Sequence, residues 1–144
     1  MDMKQYLVIG LGRFGTSVAK TLYEAGENIL GIDVSEELVQ DRINNNILKN
    51  AIIGDASDGK ILKDIGAENF DVAFVCIGDI EASVMIALNL KELGIKSIIA
   101  KAINKKHGKV LTKIGATEIV YPEEHMGKRI AELTMNTDII EHLK

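Results

Sequence analysis

The feature that most constrains this chain is a glycine pattern in a particular setting. Gly10, Gly12 and Gly15 form G-x-G-x-x-G. An apolar, strand-like run at 6–9 leads directly into it, and the i, i+4 stripe of Phe14, Val18 and Leu22 follows it. Asp33 closes the next strand-like run, eighteen residues after Gly15. A strand, a glycine turn, a helix and an acid at that distance make the full context of a dinucleotide-binding fingerprint. Each glycine has its own task there. Gly10 permits the tight turn, Gly12 lets backbone approach a pyrophosphate, and Gly15 lets helix and strand pack closely. Free N–H groups at the helix start face the anion. Asp33 is placed to accept hydrogen bonds from an adenosine ribose, and its charge disfavours a 2′-phosphate.

The rest of the chain repeats the same alternation. Short, β-branched-rich apolar runs occur at 6–9, 29–33, 51–53, 72–77, 98–100 and 119–121. They are nearly continuous, as expected of strands buried on both faces. Helical stripes lie between them, including Ile61, Leu62, Ile65, then Val84, Leu88, then Val110, Leu111, Ile114. Gly26, Gly66, Gly94 and Gly115 are placed to end helices, and Ser35, Ser57 and Asn104 to cap them. Six strands alternating with helices predict an α/β fold with a parallel sheet and right-handed crossovers. The glycine turn makes it Rossmann-like: doubly wound, order 3-2-1-4-5-6, helices on both faces. One domain is expected over 1–134. The tail 135–144 mixes Ile139, Ile140 and Leu143 with charges and has no slot in the sheet.

Composition narrows the function. The net charge is −4, without the basic face of a nucleic-acid binder, so no nucleic-acid partner is expected. No apolar run is long enough to cross a bilayer, and "MDMKQYLVIG" enters a strand without a signal-peptide layout. The single cysteine, Cys76, has no partner for an internal disulfide. These features set the expected location as the cytoplasm, or the cytoplasmic side of a membrane system.

Further candidates sit at the predicted carboxyl ends of the strands. In "GDAS", Asp55 and the Ala56 backbone can meet an adenine edge, or the stretch is a plain turn with Ser57 as cap. Ile77 and Gly78 end the fourth strand beside the topological switch point, where ligands bind. Lys101 reaches a phosphate, or is an ordinary exposed lysine. Phe14 and Val34 adjoin the glycine turn and Asp33. Arg13 is odd, because the first turn of a helix favours acids. It is either a solvent-facing side chain or a guanidinium held for extra negative charge, such as a γ-phosphate. "NKKHGK", 104–109, reads as a solvated helix face. His107, His125 and His142 read as surface histidines, with no metal spacing and no nucleophile–base pairing. No catalytic set emerges, so an enzyme is not expected.

"VIGLGRFG", "GDAS", "IGAENFDVAFVCIGD" and "IGATEIVYPEEHMGKRIA", with Asp33, resemble the N-terminal lobe of RCK/KTN (TrkA-N) domains, over essentially the whole chain. The likeness is to KtrA-like regulatory subunits of bacterial K+ uptake systems. It implies a non-enzymatic module that binds ATP or ADP, or NAD or NADH, and converts ligand identity into a change of subunit angle. It implies a homodimer, an octameric ring and a membrane K+ channel or transporter as partner, beneath the inner face of the cell membrane. By residue, it implies that Gly10, Gly12 and Gly15 cradle phosphates, Asp33 holds the ribose, Asp55 and Ala56 meet the adenine, and Lys101 lies near the phosphates. Arg13 reaches a γ-phosphate across the dimer interface, and Glu123 supports Mg2+ or Ca2+ there. The usual C-terminal lobe has no counterpart here, so 135–144 is expected to start a crossover segment. Two other readings share the glycines and Asp33: an NAD(H) redox sensor, and the coenzyme domain of an NAD-dependent dehydrogenase. Arg13 and Glu123 suit a triphosphate and its metal better than a dinucleotide.

Overall fold

A computed structural model describes residues 4–136. Residues 137–144, and with them most of the expected crossover segment and His142, lie outside the described residues. The elements run β1 (Gln5–Ile9), α1 (Arg13–Glu24), β2 (Asn28–Asp33), α2 (Glu36–Asn44), β3 (Ala51–Ile53) and α3 (Gly59–Asp64). A single 3-10 turn, Ala67–Asn69, follows. The chain continues as β4 (Val72–Val75), α4 (Ile80–Glu92), β5 (Ser97–Lys101), α5 (Lys105–Ile114), β6 (Glu118–Val120) and α6 (Pro122–Thr134). The sheet order is β3-β2-β1-β4-β5-β6, and every pairing is parallel. This is the doubly wound order expected from the alternation.

Side-chain alternation along β1 sorts the core into two layers. Leu7 and Ile9 pack with Leu62, Ile86, Leu90 and Leu111 from α3, α4 and α5. Val8 packs with Ala19 and Val39 from α1 and α2 on the other face. A sheet covered on both faces needs such continuous apolar strands. β1 pairs with β2 through Ile9 and Ile32, and with β4 through Ile9 and Val75. Crossovers leave β1 toward opposite sides, so a crevice opens beyond the carboxyl ends of β1 and β4.

Several local expectations change. β4 stops at Val75 rather than 77, β5 runs to Lys101, and β6 is shifted one residue toward the N-terminus. Ser35 and Asn104 cap α2 and α5 as expected, accepting from Leu38 N and His107 N. Ser57 does not cap α3. Its N–H and hydroxyl both turn back to Asp55 Oδ1, and Asp58 takes the cap by accepting from Lys60 N at 3.1 Å. Aspartate two residues ahead offers Ser57 a local turn that competes with capping. The 104–109 stretch is only partly a solvated face. Lys105, Lys106 and Lys109 are exposed, but His107 is 2% exposed and Gly108 is buried. Helical period puts 107, 108 and 111 on one inward face, and the imidazole goes in because both its nitrogens find partners there. Among the described residues no helix is long and apolar enough to cross a membrane.

Gly15 is set by space. A Cβ there would fall on the Gly10 carbonyl oxygen, and Gly10 itself has φ +98° with Cys76 O only 2.6 Å from where its Cβ would be. Gly15→Ala is therefore expected to destabilise the fold by about 2 kcal/mol or more, the scale of overpacking against backbone. Denaturant unfolding of the variant beside the parent checks this.

Candidate nucleotide-binding site

Six residues fix the floor of the site. Gly10 N–H donates to Ile32 O at 2.8 Å, carrying β1 straight into the turn. The next residue is pinned through both of its flanking peptides. Leu11 N–H donates to Asp33 Oδ2 at 2.7 Å, while Leu11 O accepts from Arg42 Nε at 3.1 Å and from the Thr16 hydroxyl at 2.8 Å. Arg42 Nε also donates to Thr16 Oγ1 at 2.8 Å. The loop is thus held by β2 and α2 before any ligand arrives. Asp33 Oδ1 accepts from Ser35 N at 2.8 Å. Each carboxylate oxygen keeps a second lone pair, so Asp33 serves the loop and still offers acceptors outward.

A cavity of about 920 Å³ opens above this floor. Its wall brings together Gly12, Arg13, Phe14, Lys101 and Glu123, five of the residues singled out from sequence. Gly10 and Gly15 lie beneath it as packing glycines. Asp33, Val34, Asp55, Ala56, Ile77 and Gly78 are not part of that wall. They stand at the carboxyl ends of β2, β3 and β4, along the other half of the crevice. There Val34, Asp55 and Gly78 are exposed, Asp33 and Ile77 are half-buried, and the Ala56 side chain is buried in the core.

Two features of the cavity point to an anion. Gly12 has an ordinary φ of −74°, and nothing lies within 4 Å of where its Cβ would be. The fold does not need glycine at this position, and the open space leaves room for close approach from outside. Helix capping gives the second. Ser35, Asp58, Asp79 and Asn104 cap α2, α3, α4 and α5 with side chains. Among the described α-helices, only α1 and α6 start without a side-chain cap, and both start at this cavity. The N–H groups of Arg13, Phe14 and Gly15 in α1 and of Glu123 and Glu124 in α6, where Pro122 has none, stay free for a ligand. Arg13 opens α1 with no acid in that turn and with no ion pair among the described residues. Lys101 lines the same cavity, and Glu123 and Glu124 occupy the first turn of α6. Lys105 lies 3.7 Å from Glu124 and 4.2 Å from the centre of the Tyr121 ring, which shares the wall.

Other groups at the strand ends are quiet. Hydrogen bonds from the Ser57 side chain and backbone hold the Asp55 carboxyl below the usual carboxylate range. Burial pushes the Cys76 thiol up to about 12, so it is an inert wall residue rather than a nucleophile. The structure does reveal one serine–histidine contact that spacing did not show. Ser83 Oγ lies 2.6 Å from His107 Nε2. It is no catalytic dyad. His107 Nδ1 accepts from Ile103 N–H at 3.1 Å, so in the neutral ring Nε2 carries the proton and cannot take another from serine. Ser83 is fully buried and donates to Ile80 O at 3.0 Å. Among the described residues no group of three His, Cys, Asp or Glu side chains is placed to hold a metal. Arg42 was likewise invisible to motif reading, being 31 residues from the loop it grips.

The family described as the TrkA-N domain matches residues 6–122. The chain belongs to the TrkA-N domain family. This TrkA-N domain is 44% identical over 142 residues to "Ktr system potassium uptake protein C" of Bacillus subtilis, covering 98% of this chain and 63% of that protein. It is 40% identical over 141 residues to "Ktr system potassium uptake protein A" of the same organism, covering 97% and 63%. It therefore spans 63% of the length of each of these relatives. The fold is shared with the TrkA-N domain of inner membrane protein ybaL from Escherichia coli, at TM-score 0.78 and 21% identity, over 90% of this chain and 95% of that one. It is shared also with the GsuK channel bound to NAD, at TM-score 0.73 and 13% identity, over 83% of this chain and 21% of that one. The Shewanella denitrificans Kef CTD in AMP-bound form matches at TM-score 0.73 and 22% identity, over 94% and 82%.

Open space at Gly12 yields a sharp expectation. Gly12→Ala should leave stability within about 0.5 kcal/mol, because its φ suits any residue. It should weaken adenine-nucleotide binding about tenfold, equivalent to ~1.4 kcal/mol, by holding the phosphates off the backbone. Unfolding curves and calorimetric titration of one preparation read both quantities.

Proposed function

We propose that this TrkA-N domain senses adenine nucleotides for a potassium uptake system. It binds ATP or ADP in the crevice and passes the ligand's identity on as a change in subunit arrangement. The observation that carries the reading is the convergence of two helices without side-chain caps, Arg13 and Lys101 on one cavity. Such a set compensates several negative charges at once. The potassium-uptake relatives supply the potassium context, and the NAD- and AMP-bound fold neighbours support a nucleotide as ligand.

The roles follow the two halves of the crevice. Asp33 takes the ribose, and Val34, Asp55 and the Ala56 backbone meet the adenine. Ile77 and Gly78 line the path from β4. The glycine turn, Phe14 and Lys101 receive the α- and β-phosphates. Arg13 answers a γ-phosphate held by the adjacent subunit of a homodimer, itself part of an octameric ring. The ring sits at the cytoplasmic face of a membrane K+ channel or transporter, and turns no substrate over. Glu123 is one exposed carboxylate at the cavity rim, too few ligands for a hard cation alone. With phosphate oxygens completing the set, Mg2+ or Ca2+ fits it, since such cations bind one or two carboxylates plus phosphates. The cation would neutralise phosphate charge.

A thermal-shift panel of ATP, ADP, AMP, NAD and NADH, each with and without Mg2+, tests the reading. A ligand at one hundred times its Kd should stabilise the fold by about 2.7 kcal/mol. No shift with any of the five would overturn nucleotide sensing. A shift with NAD and NADH alone would favour the redox-sensor reading. Within the panel, Arg13→Ala should weaken ATP and leave ADP nearly unchanged. Equal losses would assign Arg13 to the shared phosphates. Glu123→Gln should remove the gain in ATP affinity that Mg2+ or Ca2+ brings and leave cation-free ADP binding alone, as read by calorimetry in each cation and in chelator.

A further inference from the structure

One wall of the cavity is the β5–α5 loop, through Lys101, Ala102 and Ile103. Three hydrogen bonds, one buried and two partly buried, stand behind it. Ile103 N–H donates to His107 Nδ1, His107 Nε2 meets Ser83 Oγ, and Ser83 donates to the carbonyl of Ile80 at the first residue of α4. Donor logic leaves this chain one neutral arrangement. A backbone N–H only donates, so Nδ1 accepts, Nε2–H donates to Ser83, and the hydroxyl proton goes to Ile80 O. All four groups are satisfied in a site where His107 is 2% and Ser83 0% exposed. The start of α4 is itself fixed by Asp79 Oδ2, which accepts from Ala82 N at 2.8 Å directly after Gly78. The imidazole therefore ties together the two loops that follow β4 and β5.

We propose that His107 is a positioning residue for the nucleotide site. Its neutral ring holds the β5–α5 loop against α4, and nucleotide affinity depends on that hold. The inference rests on the nucleotide reading of the cavity. A second proton on the ring would sit at Nδ1, facing the Ile103 N–H, and two donors would oppose each other. The ionisable groups on the surrounding elements are Asp79 at the α4 cap, Glu81, Lys91 and Glu92 on α4, Lys101 on β5, Lys105, Lys106, Lys109 and Lys113 on α5, and Glu118 on β6. All are exposed or half-buried. Burial is what pushes the imidazole below its usual 6.5. The sign follows. The unfolded chain takes up this proton at higher pH than the folded one, so the hold is complete above about pH 6.5 and weakens as pH falls.

The experiment follows the imidazole ¹⁵N signals, hydrogen exchange at the Ile103 amide, and ADP affinity, from about pH 7.5 to about pH 5. It compares the parent chain with His107→Asn, which keeps an acceptor near the Nδ1 position and does not titrate, and with His107→Leu, which keeps bulk without an acceptor. Comparing variants at each pH cancels the titration of the ADP phosphate itself, which falls near pH 6. The expected results are an Nε2–H tautomer at neutral pH and Ile103 exchange that rises as the ring protonates. ADP affinity in the parent should fall about tenfold further than in His107→Asn, the scale of one hydrogen bond lost. His107→Leu should bind ADP about tenfold more weakly at neutral pH. An Nδ1–H tautomer, or ADP binding with the same pH profile in parent and His107→Asn, overturns the positioning role alone. Absence of ADP binding in every variant at every pH overturns the dependence of ADP affinity on the ring, and the nucleotide reading falls with it only if the five-ligand panel also shows no shift. The parent titration needs no variant to fold.

Discussion

The geometry of this domain depends on the backbone polar groups of one residue, Leu11. Leu11 N–H is taken by Asp33 and Leu11 C=O by Arg42 and Thr16, which joins the end of β1 to β2 and α2 just before α1 begins. Buried backbone polar groups must find partners, and a tight turn between strand and helix has few of its own. Supplying them from side chains frees the following N–H groups for something else. It also fixes where α1 starts, because Gly15 then packs directly on the Gly10 carbonyl. The direction of the α1 dipole, the placement of Arg13 and the floor of the cavity all follow from that contact.

The crevice above this floor is bordered by loops that α4 tethers at both ends. Ser83, on its first turn, reaches the β5–α5 loop through His107. Asn89, two turns on, donates from Nδ2 to Ser57 O at 2.9 Å and to Ala56 O at 3.3 Å, holding the β3–α3 loop. α4 is anchored in turn by Ile86, Ala87 and Leu90 in the larger core layer. Side chains on a rigid, buried helix position loops more tightly than loop residues position themselves. The two halves of the crevice are thereby referred to one element.

α6 is anchored differently. None of its residues is buried, and Met126, Ile130 and Met135 are half or more exposed or close to it, at 50%, 42% and 80%. Elements with little buried apolar surface move at low free-energy cost. Glu123 and Glu124 stand on this least anchored helix, facing Arg13 and Lys101 on well-packed elements. The cavity therefore has one firm wall and one compliant wall.

Local sequence determined the architecture. Apolar runs of strand length, amphipathic stripes of helical period, and the glycines at 10, 12 and 15 leave a doubly wound sheet as the consistent solution, because each is a short-range property of backbone and burial. Ser35 and Asn104 were legible as caps for the same reason. So was the set Gly12, Arg13, Phe14, Lys101 and Glu123, since strand order places the ends of β1, β5 and β6 beside one crevice. Tertiary structure alone decided the rest. Arg42 and Asn89 act on loops more than thirty residues away, and no spacing in the chain announces such contacts. Ser57 lost its cap to Asp58 through competition with Asp55, a balance of alternatives within a few residues that residue type does not rank. His107 looked like a surface residue between lysines. It is buried because Ser83 and Ile103, brought in from α4 and from the loop after β5, satisfy both ring nitrogens, and a polar group enters a core only where folding has already assembled its partners.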